Sequence, residues 1–136
     1  MASKETEPTC QFADVYLVEG AEPTITYRSE LVVYQESLTR GMFVGRGWNG
    51  SGATNSEPER LDPSKHPSPQ AFWLEIEGQL LHSHWEWGGC QQERETKGLH
   101  ATIELRHSVR PVVVRVHTLL DGTPILTRWL EIVNSS

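Results

Sequence analysis

The chain has 136 residues, with 12 Lys and Arg against 18 Asp and Glu, for a formal net charge of −6. That length holds one ordinary domain rather than two, and a 37% hydrophobic share supports a modest core. The acidic balance, with basic residues scattered rather than clustered, speaks against a nucleic-acid partner. No run of about 18 apolar residues is present to cross a membrane as a helix. The start, Met1-Ala2-Ser3-Lys4-Glu5, lacks an apolar signal core, which favours a cytoplasmic location. With only two cysteines and no secretory signal, Cys10 and Cys90 are expected as free thiols rather than a disulfide.

Residues 1–10 are polar and read as a disordered lead-in, leaving 11–136 as a single domain. Three short runs rich in β-branched and aromatic residues follow: Phe12–Val18, Thr24–Arg28 and Leu31–Tyr34. From about 45 to 70 the chain carries Gly45, Gly47, Gly50, Gly52, Pro58, Pro63, Pro67 and Pro69, which predicts a long loop holding Trp48. Alternation then returns. Phe72, Leu74 and Ile76 share one face, Gly78-Gln79 forms a tight turn, and Leu80–Trp87 alternates again. Leu99–Arg106 is the cleanest strand, with Leu99, Ala101, Ile103 and Leu105 on one face and His100, Thr102 and Glu104 on the other. Pro111–Leu120, the turn residues Asp121-Gly122, and Thr123–Val133 complete the pattern. Seven or eight short strands without a helical period predict an all-β fold, an antiparallel β-sandwich. The chain ends directly off a strong strand, so a partial domain with an exposed edge is expected.

Five Trp are many for this length. Trp85 and Trp87 share a face with Leu81 and read as core. Trp48 and Trp73 remain as candidates for a sugar or protein partner, because an indole face stacks on the apolar C–H face of a pyranose. If Leu80–Trp87 is a strand, His82, His84 and Glu86 lie on one face, and His-x-His presents two imidazoles to one Zn²⁺. The alternative, that they are polar residues of a half-buried strand, is preferred because no second ligand cluster stands at fixed spacing; no metal or other cofactor is expected. Glu75, Glu77, Glu86, Glu104 and Glu131 all fall on predicted strands, where a chance pair could match the separation of glycosidase carboxyls, but a solvated sheet face is the preferred reading. Neither Gly-x-Ser-x-Gly nor a catalytic Cys context occurs. Gly45-x-Gly47-x-x-Gly50 lacks the helix and βαβ unit that a phosphate loop needs.

The run Phe72-Trp73-Leu74-Glu75-Ile76-Glu77-Gly78-Gln79-Leu80-Leu81, then Trp85-Glu86-Trp87, Gly98–His107, Arg110-Pro111-Val112 and Asp121–Ile132, resembles a known family. It is similar to the N-terminal β-supersandwich domain of glycoside hydrolase family 36, the melibiase-type α-galactosidases. The resemblance covers about residues 70–134. It implies a supersandwich of the galactose-mutarotase type, seen here in its first portion. It further implies that hydrolysis is done by two Asp residues on a (β/α)₈ barrel that follows this domain, so no catalytic residue transfers to this chain. The expected partners are that barrel, galactosides and further copies in a homo-oligomer, with no nucleic acid and no membrane. The alternative expectation is a stand-alone carbohydrate-binding module using Trp48 and Trp73.

Overall fold

The computed structural model describes residues 12–51 and 69–135. The strands in chain order are β1 Ala13–Val18, β2 Thr24–Ser29, β3 Val32–Thr39, β4 Met42–Asn49, β5 Glu75–Ile76, β6 Gln79–Leu80, β7 Trp85–Glu95, β8 Gly98–His107, β9 Val112–Leu120 and β10 Leu126–Asn134. All pairing is antiparallel. One sheet runs β1-β2-β3-β4, a second runs β10-β9-β8-β7, and β5-β6 is a small hairpin. The all-β sandwich expected from strand spacing is the observed architecture.

Tight reversals explain the meanders. Arg40 and Gly41 both take positive φ (53° and 77°), as do Glu77 and Gly78 (52° and 78°). Two left-handed residues in succession give the turn whose twist matches the flanking strands. The second of these corrects the predicted Gly78-Gln79 turn by one position, because Gln79 already pairs with Ile76. Between β9 and β10, Asp121 accepts hydrogen bonds from the Thr123 amide (3.0 Å) and hydroxyl (2.5 Å), closing an Asx-type turn. These bonds hold the Asp121 carboxyl below its usual range.

The two sheets share one core. Strand β8 buries Leu99, Ala101, Ile103 and Leu105, while β9 buries Val112, Val114, Val116, Thr118 and Leu120. From the first sheet come Ala13, Val15, Ile25, Tyr27, Leu38 and Phe43. Burying each large aliphatic side chain contributes about 1.5–3 kcal/mol, so these two alternating faces dominate the driving force. Polar links also cross the gap. The buried Ser29 hydroxyl donates to the Thr123 carbonyl (2.6 Å) and accepts from the Gly122 amide (3.0 Å).

A buried ion pair ties the sheets together. Glu36 on β3 is fully buried and receives both ends of the Arg128 guanidinium of β10, each at 2.7 Å. Tyr27 donates its hydroxyl to the same carboxylate at 2.6 Å. Arg128 also donates to the Thr118 hydroxyl (3.1 and 2.9 Å) and lies over the Tyr27 and Tyr34 rings. Every donor and acceptor thus has a partner, which is what makes burial of this pair tolerable. Burial opposes the Arg128 charge, but the Glu36 bonds outweigh it and hold the guanidinium firmly protonated. Burial, followed by the Glu36 charge, pushes the Tyr27 hydroxyl well above its ordinary value.

Three expectations change. The chain from Gly45 to Asn49 is strand rather than loop, so Trp48 sits on β4 opposite Tyr34. Residues 52–68 of the expected loop, the 1–10 lead-in and Cys10 lie outside the described residues. The 71–77 stretch forms only the two-residue β5, yet Phe72, Leu74 and Ile76 do pack against the core while Trp73 stays exposed. Finally, β7 begins at Trp85, so Leu80–Trp87 is not one strand.

Candidate functional site

The candidate site is the solvent-facing side of the β10-β9-β8-β7 sheet. Alternation sends the core residues of β8 and β9 inward and His100, Thr102, Glu104, Arg115 and His117 outward. Register then sets the neighbours. Gln91 stands opposite Thr102, Thr102 opposite His117, and His117 opposite Trp129. One step along, Glu93 stands opposite His100, and one step the other way Glu104, Arg115 and Glu131 form a third row.

Within this array the polar groups form a continuous string. Glu95 Oε2 lies 2.9 Å from His100 Nδ1, His100 Nε2 lies 2.9 Å from His117 Nδ1, and His117 Nε2 lies 3.0 Å from Glu131 Oε1. The Thr102 hydroxyl is 3.3 Å from His117 Nδ1. Trp129 stacks on His117 with ring centroids 5.0 Å apart and parallel planes, and lies 5.3 Å from His100. Arg115 joins Glu104 and Glu131 (both 3.2 Å). The His117 hydrogen bond lowers the Glu131 carboxyl from its usual range, with Arg115 contributing. Beside His100 and Thr102 a groove of about 460 Å³ opens, lined also by Gln91, Gln92 and Glu93. Glu93, Glu95 and His100 place one ligand atom each within 4.8 Å of one another.

The residues singled out from sequence are not in this array. Trp48 is 62% exposed and backed by Tyr34, with ring centroids 4.4 Å apart. Trp73 is 71% exposed. The two share no ring contact, so no joint aromatic platform forms from them. Trp85 is core, as expected: it is 3% exposed, donates its indole N–H to the Leu81 carbonyl (3.1 Å) and meets Phe72 edge-on. Trp87 packs half-buried against the same core.

His82, His84 and Glu86 do not form the strand face that metal ligation would need. His82 and His84 lie before β7, His84 takes a left-handed φ of 70°, and only Glu86 is on the strand. His84 instead meets His107 edge-on at 6.1 Å. Among the expected strand carboxylates, Glu77 is in a turn and pairs with Arg110 (2.8 Å), whereas Glu104 and Glu131 share Arg115. Cys90 is a free, half-buried thiol. Burial, with the Glu19 charge, pushes it up from its ordinary value, which disfavours the thiolate form.

The His100–His117 pair went unrecognised in the sequence, where the two lie on separate strands. The signal was available in part: both fall on the outward phase of their strands, and the β8–β9 connection fixes which outward residues meet. No helix among the described residues is long and apolar enough to cross a membrane. Comparison of the chain with protein-family models, curated proteins and solved structures finds no match.

Proposed function

We propose that this chain is a non-catalytic β-sandwich domain of a glycoside hydrolase resembling the family 36 α-galactosidases. In this reading it packs on a catalytic (β/α)₈ barrel and shapes its substrate entrance. The observation that carries the reading is the state of β10. Its inward phase is Leu126, Arg128, Leu130 and Ile132, set by pairing with Leu120, Thr118, Val116 and Val114. Leu126 packs on the core and Arg128 reaches Glu36, but Leu130 and Ile132 remain 38% and 46% exposed. β10 is also an edge strand, hydrogen-bonded to β9 alone among the described strands. An apolar phase pointing inward on an open edge is surface that a further strand or domain would cover. Of the carboxylates weighed for chemistry, Glu77 is held by Arg110, and Glu104 and Glu131 by Arg115.

Two measurements test this. The transcript is sequenced through and beyond the codon for Ser136: continuation into a barrel with paired Asp residues supports the reading, and a stop codon there overturns it. The purified chain is assayed on an aryl α-galactoside: no turnover is expected, and turnover that co-purifies with the chain and is lost when its carboxylates are substituted refutes a non-catalytic role. The exposure of Trp48 over a fixed Tyr34 ring favours a second reading, a carbohydrate-binding module. Tryptophan fluorescence titrated with galactose and raffinose decides it: a saturable change abolished by Trp48→Ala supports that reading, and none up to tens of millimolar removes it.

A further inference from the structure

We infer that Glu93, Glu95 and His100 form a binding site for a divalent transition-metal ion of the Zn²⁺ class, supported from behind by His117 and Glu131. The argument starts from how His100 is held. Glu131 Oε1 lies 3.0 Å from His117 Nε2, and His117 Nδ1 lies 2.9 Å from His100 Nε2, so one ring nitrogen of His100 is already engaged with the residues behind it. The other, Nδ1, faces the Glu95 carboxylate at 2.9 Å. A metal-ligating imidazole binds through one ring nitrogen while the other bonds an outer partner, and His100 presents that arrangement with Nδ1 as the ligating atom.

Strand register brings a second carboxylate to that place. Glu93 is the direct cross-strand partner of His100, and Glu95 is two residues further along the same strand and therefore on the same face. The ligand atoms of all three lie within 4.8 Å of one another. Two carboxylates and one imidazole are a donor set suited to Zn²⁺. Ligands of a tetrahedral Zn²⁺ stand about 3.4 Å apart at bond lengths of about 2.1 Å, so His100 and Glu95 would separate by about half an ångström. Glu95 is 40% exposed and Glu93 is exposed, so both have room to adjust, while His100 is held by His117 and Trp129. The rigid ligand is thus the histidine. Its rear N–H runs through His117 to Glu131, the kind of outer support that fixes the tautomer and raises the basicity of a metal-bound imidazole. The fourth position faces the groove lined by Gln91, Gln92 and Thr102, where water completes the shell.

The test uses the whole chain, stripped with a chelator and titrated with Zn²⁺ at pH 7.5 against a chromogenic indicator. One equivalent is expected to bind at micromolar or tighter affinity. Glu93→Gln changes only an exposed residue, keeps the fold, and is expected to weaken binding at least about tenfold; His100→Gln abolishes the tight equivalent. His117→Gln keeps all three ligands and weakens binding by about 10–100-fold, as loss of an outer-shell partner does. A His82→Gln/His84→Gln double variant retains wild-type affinity. Failure of the wild type to bind Zn²⁺ more tightly than about 100 μM overturns the proposal. Undiminished binding in the Glu93→Gln variant, or loss confined to the His82→Gln/His84→Gln variant, overturns it as well.

Discussion

Replacing Arg128 with Met while leaving Glu36 in place isolates the bond between the two sheets. Glu36 is fully buried and receives three hydrogen bonds, two from Arg128 and one from Tyr27. After the substitution the carboxylate keeps the Tyr27 hydroxyl but loses its paired cation. Breaking a buried pair from one side costs about 3–5 kcal/mol, because the orphaned charge stays out of water. For a chain of this size each kcal/mol shifts Tm by about 4 °C, so the midpoint falls by about 12–20 °C. Adding Glu36→Gln to Arg128→Met removes the orphaned charge while leaving an amide oxygen for Tyr27. The double variant is therefore expected to recover at least about half of the loss. Urea melts followed by tryptophan fluorescence give both numbers. An Arg128→Met loss below about 1 kcal/mol would equate the pair with an exposed surface bridge. A double variant no more stable than the single would show that packing of the Arg128 stem, not charge, is what holds β10 to β3. Either result refutes the reasoning.

Other expectations follow from individual positions. A Cβ at Gly98 (φ 149°) would stand 2.3 Å from the Leu120 carbonyl oxygen, so Gly98→Ala forces backbone apart and costs about 3 kcal/mol or more, whereas Gly78 (φ 78°) has open space and Gly78→Ala costs about 1 kcal/mol. Equal losses in urea melts would contradict this. Burial holds His107 below its ordinary pKa; its Nε2 lies 2.9 Å from the Ser83 carbonyl, and its Nδ1 accepts from the Val109 and Arg110 amides. A pKa lower in the folded than in the unfolded chain means that the neutral ring's contribution is complete above about pH 6.5 and is lost as pH falls through the folded value. Stability measured at pH 7.5 and 5.5 should drop less in His107→Gln than in wild type; an equal or larger drop argues against it. Trp48→Ala removes a ring stacked on Tyr34 but little buried surface, so denaturation should show a loss of about 1 kcal/mol; a loss near 3 kcal/mol would mean that Trp48 is a core anchor.

Much of the fold was legible because half-buried strands repeat with period two. Leu99, Ala101, Ile103 and Leu105 are all buried, as their spacing demanded. The misses have physical reasons. Gly45 and Gly47 suggested loop, yet they lie on β4, where a Cβ at Gly45 would stand 2.8 Å from the Tyr34 hydroxyl. Glycine there makes room for a neighbouring ring. Strand β7 from Gly88 to Glu95 carries no apolar alternation, because from Gln91 onward it is exposed and meets β1 through polar side chains, Gln92 reaching the Val15 carbonyl and Arg94 that of Ala13. Leu80–Trp87 alternated by chance of composition: Leu81 and Trp85 are both buried, but a left-handed His84 breaks the strand between them.

The outer face was hidden for a different reason. Period two says which residues face outward but not which of them meet, and that second fact lives in the connections. The link between β8 and β9 pairs Thr102 with His117 and so brings His117 Nδ1 to His100 Nε2; the Asp121 turn pairs His117 with Trp129. A one-residue register shift at the first link would turn His117 toward the core and place Val116 or Thr118 opposite Thr102 in its stead. The support behind His100 therefore depends on loop length as well as on the histidines. Inserting one residue between Ser108 and Pro111 would displace His117 and so weaken Zn²⁺ binding and disturb core packing together, whereas Glu93→Gln would weaken the binding alone. Comparing these two variants by Zn²⁺ titration and urea melt separates what the register builds from what the ligands bind.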